Sequence, residues 1–429
     1  MKYNGSIGVY VDGRRGHKSS STRQDWDLTT DLSLEGSRTR RHRGDGAWSF
    51  ALSGRLTSDL DGRRPSEEPG IYNGIQETFK GNVQPFLHRA WINRAIGRSI
   101  GVFEDVNIRL GRQQRAEGDM LWFDGAEITA QVDGSEQEIG GGIFGGVPVR
   151  LYESATGDWL VGGALRGRAG ALRLGLEAYH IEEKARFNIT RRDNVGRVSV
   201  WTPIEALHAD LFGTVRFIEN DGADGQLRAT WRPADKGFVL RGDYRFQTEA
   251  RGAQATEIDL ASIIMGRSIG APRTAFNEFA GSIAAPLGEK LSLEFGGSTR
   301  DAEGIADRLN FDFDRFFATL GLTGLKFANR KLELSVTGEA YETPGDRIRT
   351  GSGEARLHVT EKFLVSAGTT FALYSYDYST GLVKDNVRIG SLRAEYRATE
   401  KCRLEARYDA EDDDRRLHHY VRLGARYAF

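Results

Sequence analysis

Cysteine is nearly missing from this 429-residue chain: Cys402 stands alone. One thiol excludes an internal disulfide, a cysteine-based zinc site and a CxxCH haem attachment. Apolar residues are also scarce, at 39% of the chain against the usual ~45–50%. A thick packed interior is therefore under-supplied. No run approaches the ~18 apolar residues of a membrane-spanning helix. Charge of one sign is lacking too; the net charge is −1, which argues against nucleic acid as a partner. No signal peptide is recognisable, because "MKYNGSIGVYVDG" enters alternation at once. An exported protein would be read here in a processed form.

What the chain does have is glycine, 53 residues, and a period of two. Successive side chains of an extended strand point to opposite faces. The closing stretch "HHYVRLGARYAF" sets Val421, Leu423, Ala425, Tyr427 and Phe429 against Tyr420, Arg422, Gly424, Arg426 and Ala428. "KCRLEARYD" sets Cys402, Leu404, Ala406 and Tyr408 against Arg403, Glu405 and Arg407. "KLELSVTGEAY", "ALRLGLEAYH" and "GFVLRGDYRF" behave alike. Segments of this kind begin near Ile7, Trp26, Trp48, Phe86, Val106, Phe123, Ile139, Trp159, Leu172, Val195 and Leu207. They continue from Gln226, Phe238, Ala275, Leu291, Phe316, Leu332, Gly353, Phe363, Arg388, Cys402 and Tyr420. Those at Phe86, Ile139 and Ala275 are the faintest. A helical period is suggested only around Ile258–Met265.

From mid-chain, short connections such as "RAGA", "PLGEK" and "ATEK" alternate with long polar spans at 183–194, 247–274, 301–315, 342–352, 375–386 and 409–419. Sorting loops by parity trims one end of a structure and leaves the other loopy, as in bacterial outer-membrane barrels. A soluble barrel of this size could not fill its interior with side chains. Lipid outside and water inside satisfies both faces, and closure gives every backbone group a partner. The expected fold is all-β: one transmembrane antiparallel up-and-down barrel over residues 1–429, of about 22 strands within a range of roughly 16–22.

"IRLGRQQRAEGDMLWFDGAEITAQ" resembles the strand–loop–strand of porin-like and alginate-export-like outer-membrane barrels, through Leu110, Gly111, Arg112, Gln113, Phe123, Asp124 and Gly125. The resemblance implies insertion in outer-membrane lipid. It also implies that the terminal aromatics, Tyr427 and Phe429, form the signal presented to the barrel assembly machinery. TonB-dependent transporters share the strand number but carry an N-terminal plug; alternation from Ile7 leaves no plug to be expected here.

On the face opposite the apolar one lie Arg109, Arg173, Arg241, Arg245, Glu333, Glu339, Arg393, Glu395, Arg397, Arg403, Glu405, Arg407, Arg422 and Arg426. These are the candidate pore-lining residues. Arginine dominates the last strands and Asp and Glu the first, and closure sets the two side by side. Cross-strand ion pairing would merely stiffen a wet wall; an electrostatic lining would select a cargo. No GxSxG and no Ser/His/Asp spacing is present, and the histidines (His17, His42, His88, His180, His208, His358, His418, His419) are scattered, so no catalytic residue is assigned. Asp412–Asp414 beside His418 reads as a solvated loop rather than a metal site. "GGGIFGG" lacks the Lys-Ser/Thr of a phosphate loop and reads as a bend in the wall. No cofactor is expected.

An open passage of this width needs narrowing. Three candidates arise: the 247–274 loop with "IDLASIIMG", a polysaccharide cargo, or an enclosed periplasmic protein such as a multihaem cytochrome. The leading expectation is a hydrophilic pore for a polar or charged solute or polymer. A cytochrome sheath is second and an outer-membrane enzyme third.

Overall fold

The computed structural model describes residues 2–18, 21–38, 46–60, 83–96, 100–115, 121–132, 138–149, 157–184, 190–219, 222–233, 237–248, 275–303, 312–343, 347–377, 382–412 and 417–429. Alternation of apolar and polar residues becomes strand wherever the sequence pattern places it. The first seven strands are β1 (Lys2–Lys18), β2 (Ser21–Arg38), β3 (Ala47–Asp59), β4 (Val83–Ala95), β5 (Phe103–Arg115), β6 (Leu121–Val132) and β7 (Gly140–Pro148). Then follow β8 (Trp159–Ala169), β9 (Leu172–Lys184), β10 (Thr190–Ile204), β11 (Ala209–Ile218), β12 (Gly222–Trp231), β13 (Val239–Gln247) and β14 (Phe276–Pro286). The last eight are β15 (Leu291–Ala302), β16 (Phe313–Phe327), β17 (Arg330–Glu342), β18 (Arg347–His358), β19 (Phe363–Asp377), β20 (Leu382–Arg397), β21 (Cys402–Asp412) and β22 (Leu417–Ala428). A single 3-10 turn, Glu205–Leu207, joins β10 to β11. Among the described residues no helix is long and apolar enough to cross a membrane.

Each strand pairs antiparallel with its sequence neighbours, and β1 pairs with β22 from Ser6↔Ala428 to His17↔Leu417. The sheet is a closed 22-stranded barrel with no edge. Every predicted segment has its strand, including the faint ones at Phe86, Ile139 and Ala275, which are β4, β7 and β14. At ~4.8 Å between strands and a tilt of ~40°, a circular closure would be roughly 40 Å across.

The long loops differ from expectation. Much of 183–194, 342–352, 375–386 and 409–419 is strand: β9–β10 pairing runs up to Lys184↔Thr190, β17–β18 to Glu342↔Arg347, β19–β20 to Asp377↔Leu382 and β21–β22 to Asp412↔Leu417. The reason is that ladder hydrogen bonds need only backbone. A polar strand end above the apolar band pairs as well as an apolar one. The segments 249–274 and 304–311 lie outside the described residues, and so does the predicted helical stretch at Ile258–Met265.

The register carries one face around the barrel. Leu110, Ile143, Leu165, Phe316 and Val336 are exposed on it, each more than half, and share it with Ile7, Leu32, Leu174, Leu404 and Tyr427. The opposite face is concave. Arg115 on β5 reaches Glu177 on β9. Four strand spacings along the wall would put them ~19 Å apart, so they meet by cutting across the inside of the curve. Buried apolar side chains are few and also lie inside: Leu121, Phe123, Phe144, Leu160, Tyr179, Ile181, Val195 and Ile218 form one cluster on β6–β11.

Candidate functional site: the charged interior

All of Arg109, Arg173, Arg241, Arg245, Glu333, Glu339, Arg393, Glu395, Arg397, Arg403, Glu405, Arg407, Arg422 and Arg426 share the concave face, because the register links each to an interior neighbour. Many are tied in ion pairs, some between strands and some along one strand. Arg241 meets Glu294 at 3.1 Å, Arg245 meets Asp243 at 2.8 Å, and Arg315 meets Glu339 at 3.0 Å. Glu333 takes Lys331 at 2.7 Å, and Arg109 takes Glu127 at 3.4 Å. Arg173 instead lies over the Trp201 ring, 4.6 Å from its centroid.

The difference in sign between the first and last strands meets at the seam. Arg422 of β22 grips Asp12 of β1 at 2.7 Å, and Tyr420 donates to the same carboxylate at 2.6 Å. Beyond it Arg14 is shared by Asp25 and Asp27, and Arg55 forks onto Asp31. Of these only Arg55–Asp31 is exposed on both sides, and an exposed pair contributes little, ~0–1 kcal/mol.

The β5–β6 hairpin does something the alternation did not reveal. Arg109 stands opposite Glu127, whereas Arg115 stands opposite Leu121, six residues further up. Straight strands would separate Arg115 from Glu127 by ~20 Å. Yet Arg115 lies 3.0 Å from Glu127 while Arg109 keeps the other oxygen of that carboxylate at 3.4 Å. The hairpin tip must therefore fold back. It folds inward, since Phe123 is 0%, Gln113 1% and Leu121 2% exposed and Arg115 sits over the Phe144 ring.

The crease runs through glycines. Gly111 has φ +116°, and a Cβ at Gly125 would strike the Gly145 carbonyl oxygen. On the other flank β4 pairs with β5 only from Ala90 to Ala95. Its remaining length is bridged by Arg112 donating to the Leu87 carbonyl at 3.0 Å and Trp122 donating to that of His88 at 2.8 Å. Arg112 also forks onto Asp124 at 2.7 and 2.6 Å. The stretch that carried the porin-like resemblance is thus the stretch that bends. Sequence reading missed Arg115, Gln113 and Phe123 as a unit; the signal available was glycine at both sides of the hairpin, Gly111 and Gly125.

Other expectations find their places. His418 points inward and is buried, while His419 points outward and hydrogen-bonds Tyr408 at 2.8 Å, so the adjacent histidines do not converge. No group of three metal-ligating side chains occurs among the described residues; Asp413 and Asp414 lie outside them. "GGGIFGG" is β7, a wall strand that meets the crease at Gly145 and Gly146.

No family model and no curated protein matches the chain. Solved structures do. The siderophore receptor PirA from Pseudomonas aeruginosa aligns at TM-score 0.57 and 12% identity, covering 100% of this chain and 80% of that one. The translocation pore of the P pilus usher PapC aligns at 0.47 and 10% identity over 99% of both chains. OpdK of P. aeruginosa, solved with vanillate, aligns at 0.47 and 8% identity over 100% of this chain and 98% of that one. The first shares the fold; the other two are too distant to bear on the argument.

Proposed function

We propose that this protein is an outer-membrane barrel providing a hydrophilic passage for a polar or charged solute or polymer. The observation that supports it best is the closed seam: β1 and β22 pair along their length, leaving charged side chains inside and large apolar ones exposed outside. That distribution suits lipid around the barrel and water within it. On this reading the interior arginines and glutamates line the pore, and the folded β5–β6 tip narrows it.

Planar-bilayer recording of the purified barrel tests the proposal. Discrete ion-conducting channels are the expected result. A barrel that passes no current and co-purifies with a haem protein would instead favour the sheath, and with it an electron conduit over transport.

A further inference from the structure

In several interior rows the register sets arginine against carboxylate, although Arg168 faces Arg173 and Asp27 stands between Asp12 and Asp59. Arg228 faces Asp243, Glu278 stands between Arg245 and Arg300, and Arg356 faces Glu333. Where Arg197 meets Arg216, Glu177 and Asp224 close the row on either side. Near the end of the barrel that carries Phe429, strands β20–β22 do otherwise. Arg397, Arg403 and Arg426 form one row, and Arg393, Arg407 and Arg422 form a second. Between them runs a row of Glu395, Glu405 and Gly424.

Like charges directly opposite one another destabilise a sheet. Wall strength therefore does not account for the two arginine rows. Some of the charge is taken up: Arg403 by Glu395, Arg407 by Asp409 at 2.5 Å, Arg422 by Asp12. Arg393, Arg397 and Arg426 are exposed and form no ion pair among the described residues. Arg426 donates only to the Ser6 hydroxyl, at 3.2 Å. Each row thus offers uncommitted guanidinium donors, and such groups bind carboxylate and phosphate as planar forks.

The rows are four residues apart along each strand, ~13 Å. The glutamates between them repel negative charge at the midpoint. We propose that the two rows form a two-point site for an elongated acidic solute, with an anionic group at each end and an uncharged middle. A dense polyanion would place charge against Glu395 and Glu405. A short dianion would reach only one row. This inference rests on the passage reading and names the solute class that the passage would favour.

Linear α,ω-dicarboxylates from succinate to sebacate supply a molecular ruler, with decanoate as an equally long probe bearing one charge. Binding to the detergent-solubilised barrel is measured by calorimetry, and block of small-ion current in bilayers. Sebacate is expected to bind at least tenfold more tightly than either succinate or decanoate. Arg393→Gln, or Arg397→Gln with Arg426→Gln, should bring sebacate down to the succinate level. Raising salt should weaken the preference by screening.

A wild-type series without length dependence overturns the site and needs no variant. So does a length preference that survives in both Gln variants, once heat-modifiable migration shows them folded. A barrel that shows the length preference but passes no current overturns the passage and leaves the site standing.

Discussion

Leu174, Leu334 and Leu404 lie on the outer face of β9, β17 and β21, and Ser335 and Thr337, on the same strand as Leu334, lie on the inner face. Neighbours in sequence thus meet opposite surroundings. Arginine at any of the three leucines should impair assembly, by roughly 2–4 kcal/mol near the bilayer midplane. The same change at Ser335 should be tolerated. At Thr337 it should cost only the 2.9 Å hydroxyl contact with Thr319. A folding assay in lipid vesicles checks this, and equal responses from both faces would show the facing to be wrong. The distinction was legible from the period of two alone, because facing in a strand is a local property. Arg115 was not legible in that way. Its partners, Glu127 and Glu177, are set by a bend that no alternation encodes.

The element that bends is the β5–β6 hairpin, and Arg115 is its fastening. Removing one partner of a buried ion pair costs about 3–5 kcal/mol, because the other charge is left uncompensated. In Arg115→Gln the buried carboxylates Glu127 and Glu177 lose the cation they share, while Glu127 keeps Arg109 at 3.4 Å, so the cost falls below that of a wholly uncompensated charge. The tip should leave the inner wall, and single-channel conductance should rise above that of the unaltered barrel. Conductance identical in the two proteins would mean that the folded tip does not limit flow. Strand β7 follows the same logic: Gly146 is approached by the backbone of β6 at Asp124 and Gly125, and bulk there would hold the crease open.

Closure is decided at the scale of the whole barrel. Gly5 and Phe429 exchange two backbone hydrogen bonds, 3.2 and 2.9 Å, just beyond the last opposed pair of β1 and β22. The Phe429 ring lies over Gly5 on the outer face, where any side chain at position 5 would collide with it. We propose that Tyr427 and Phe429 also serve as the assembly signal. Deleting Phe429, or Phe429→Asp, should then lower membrane insertion while synthesis continues. Heat-modifiable gel migration reads this directly, and normal migration of the deletion would count against the role.

The number of strands, their order and which residues face which side were determined by the sequence itself. Each depends on a two-residue period and on backbone pairing that tolerates any polar side chain. Even the seam followed, since an even number of antiparallel strands brings both ends of the chain to one rim. What only the tertiary structure decided is where charges find partners. The register between strands set Arg422 against Asp12 across the seam yet left Arg393, Arg397 and Arg426 without an acid among the described residues. It also extended strands into stretches whose polarity read as loop, and it creased the wall at Gly111 and Gly125. These are matters of contact between residues far apart in the chain. A periodicity sees one strand at a time, whereas an ion pair across the seam or a fold in the wall exists only between strands.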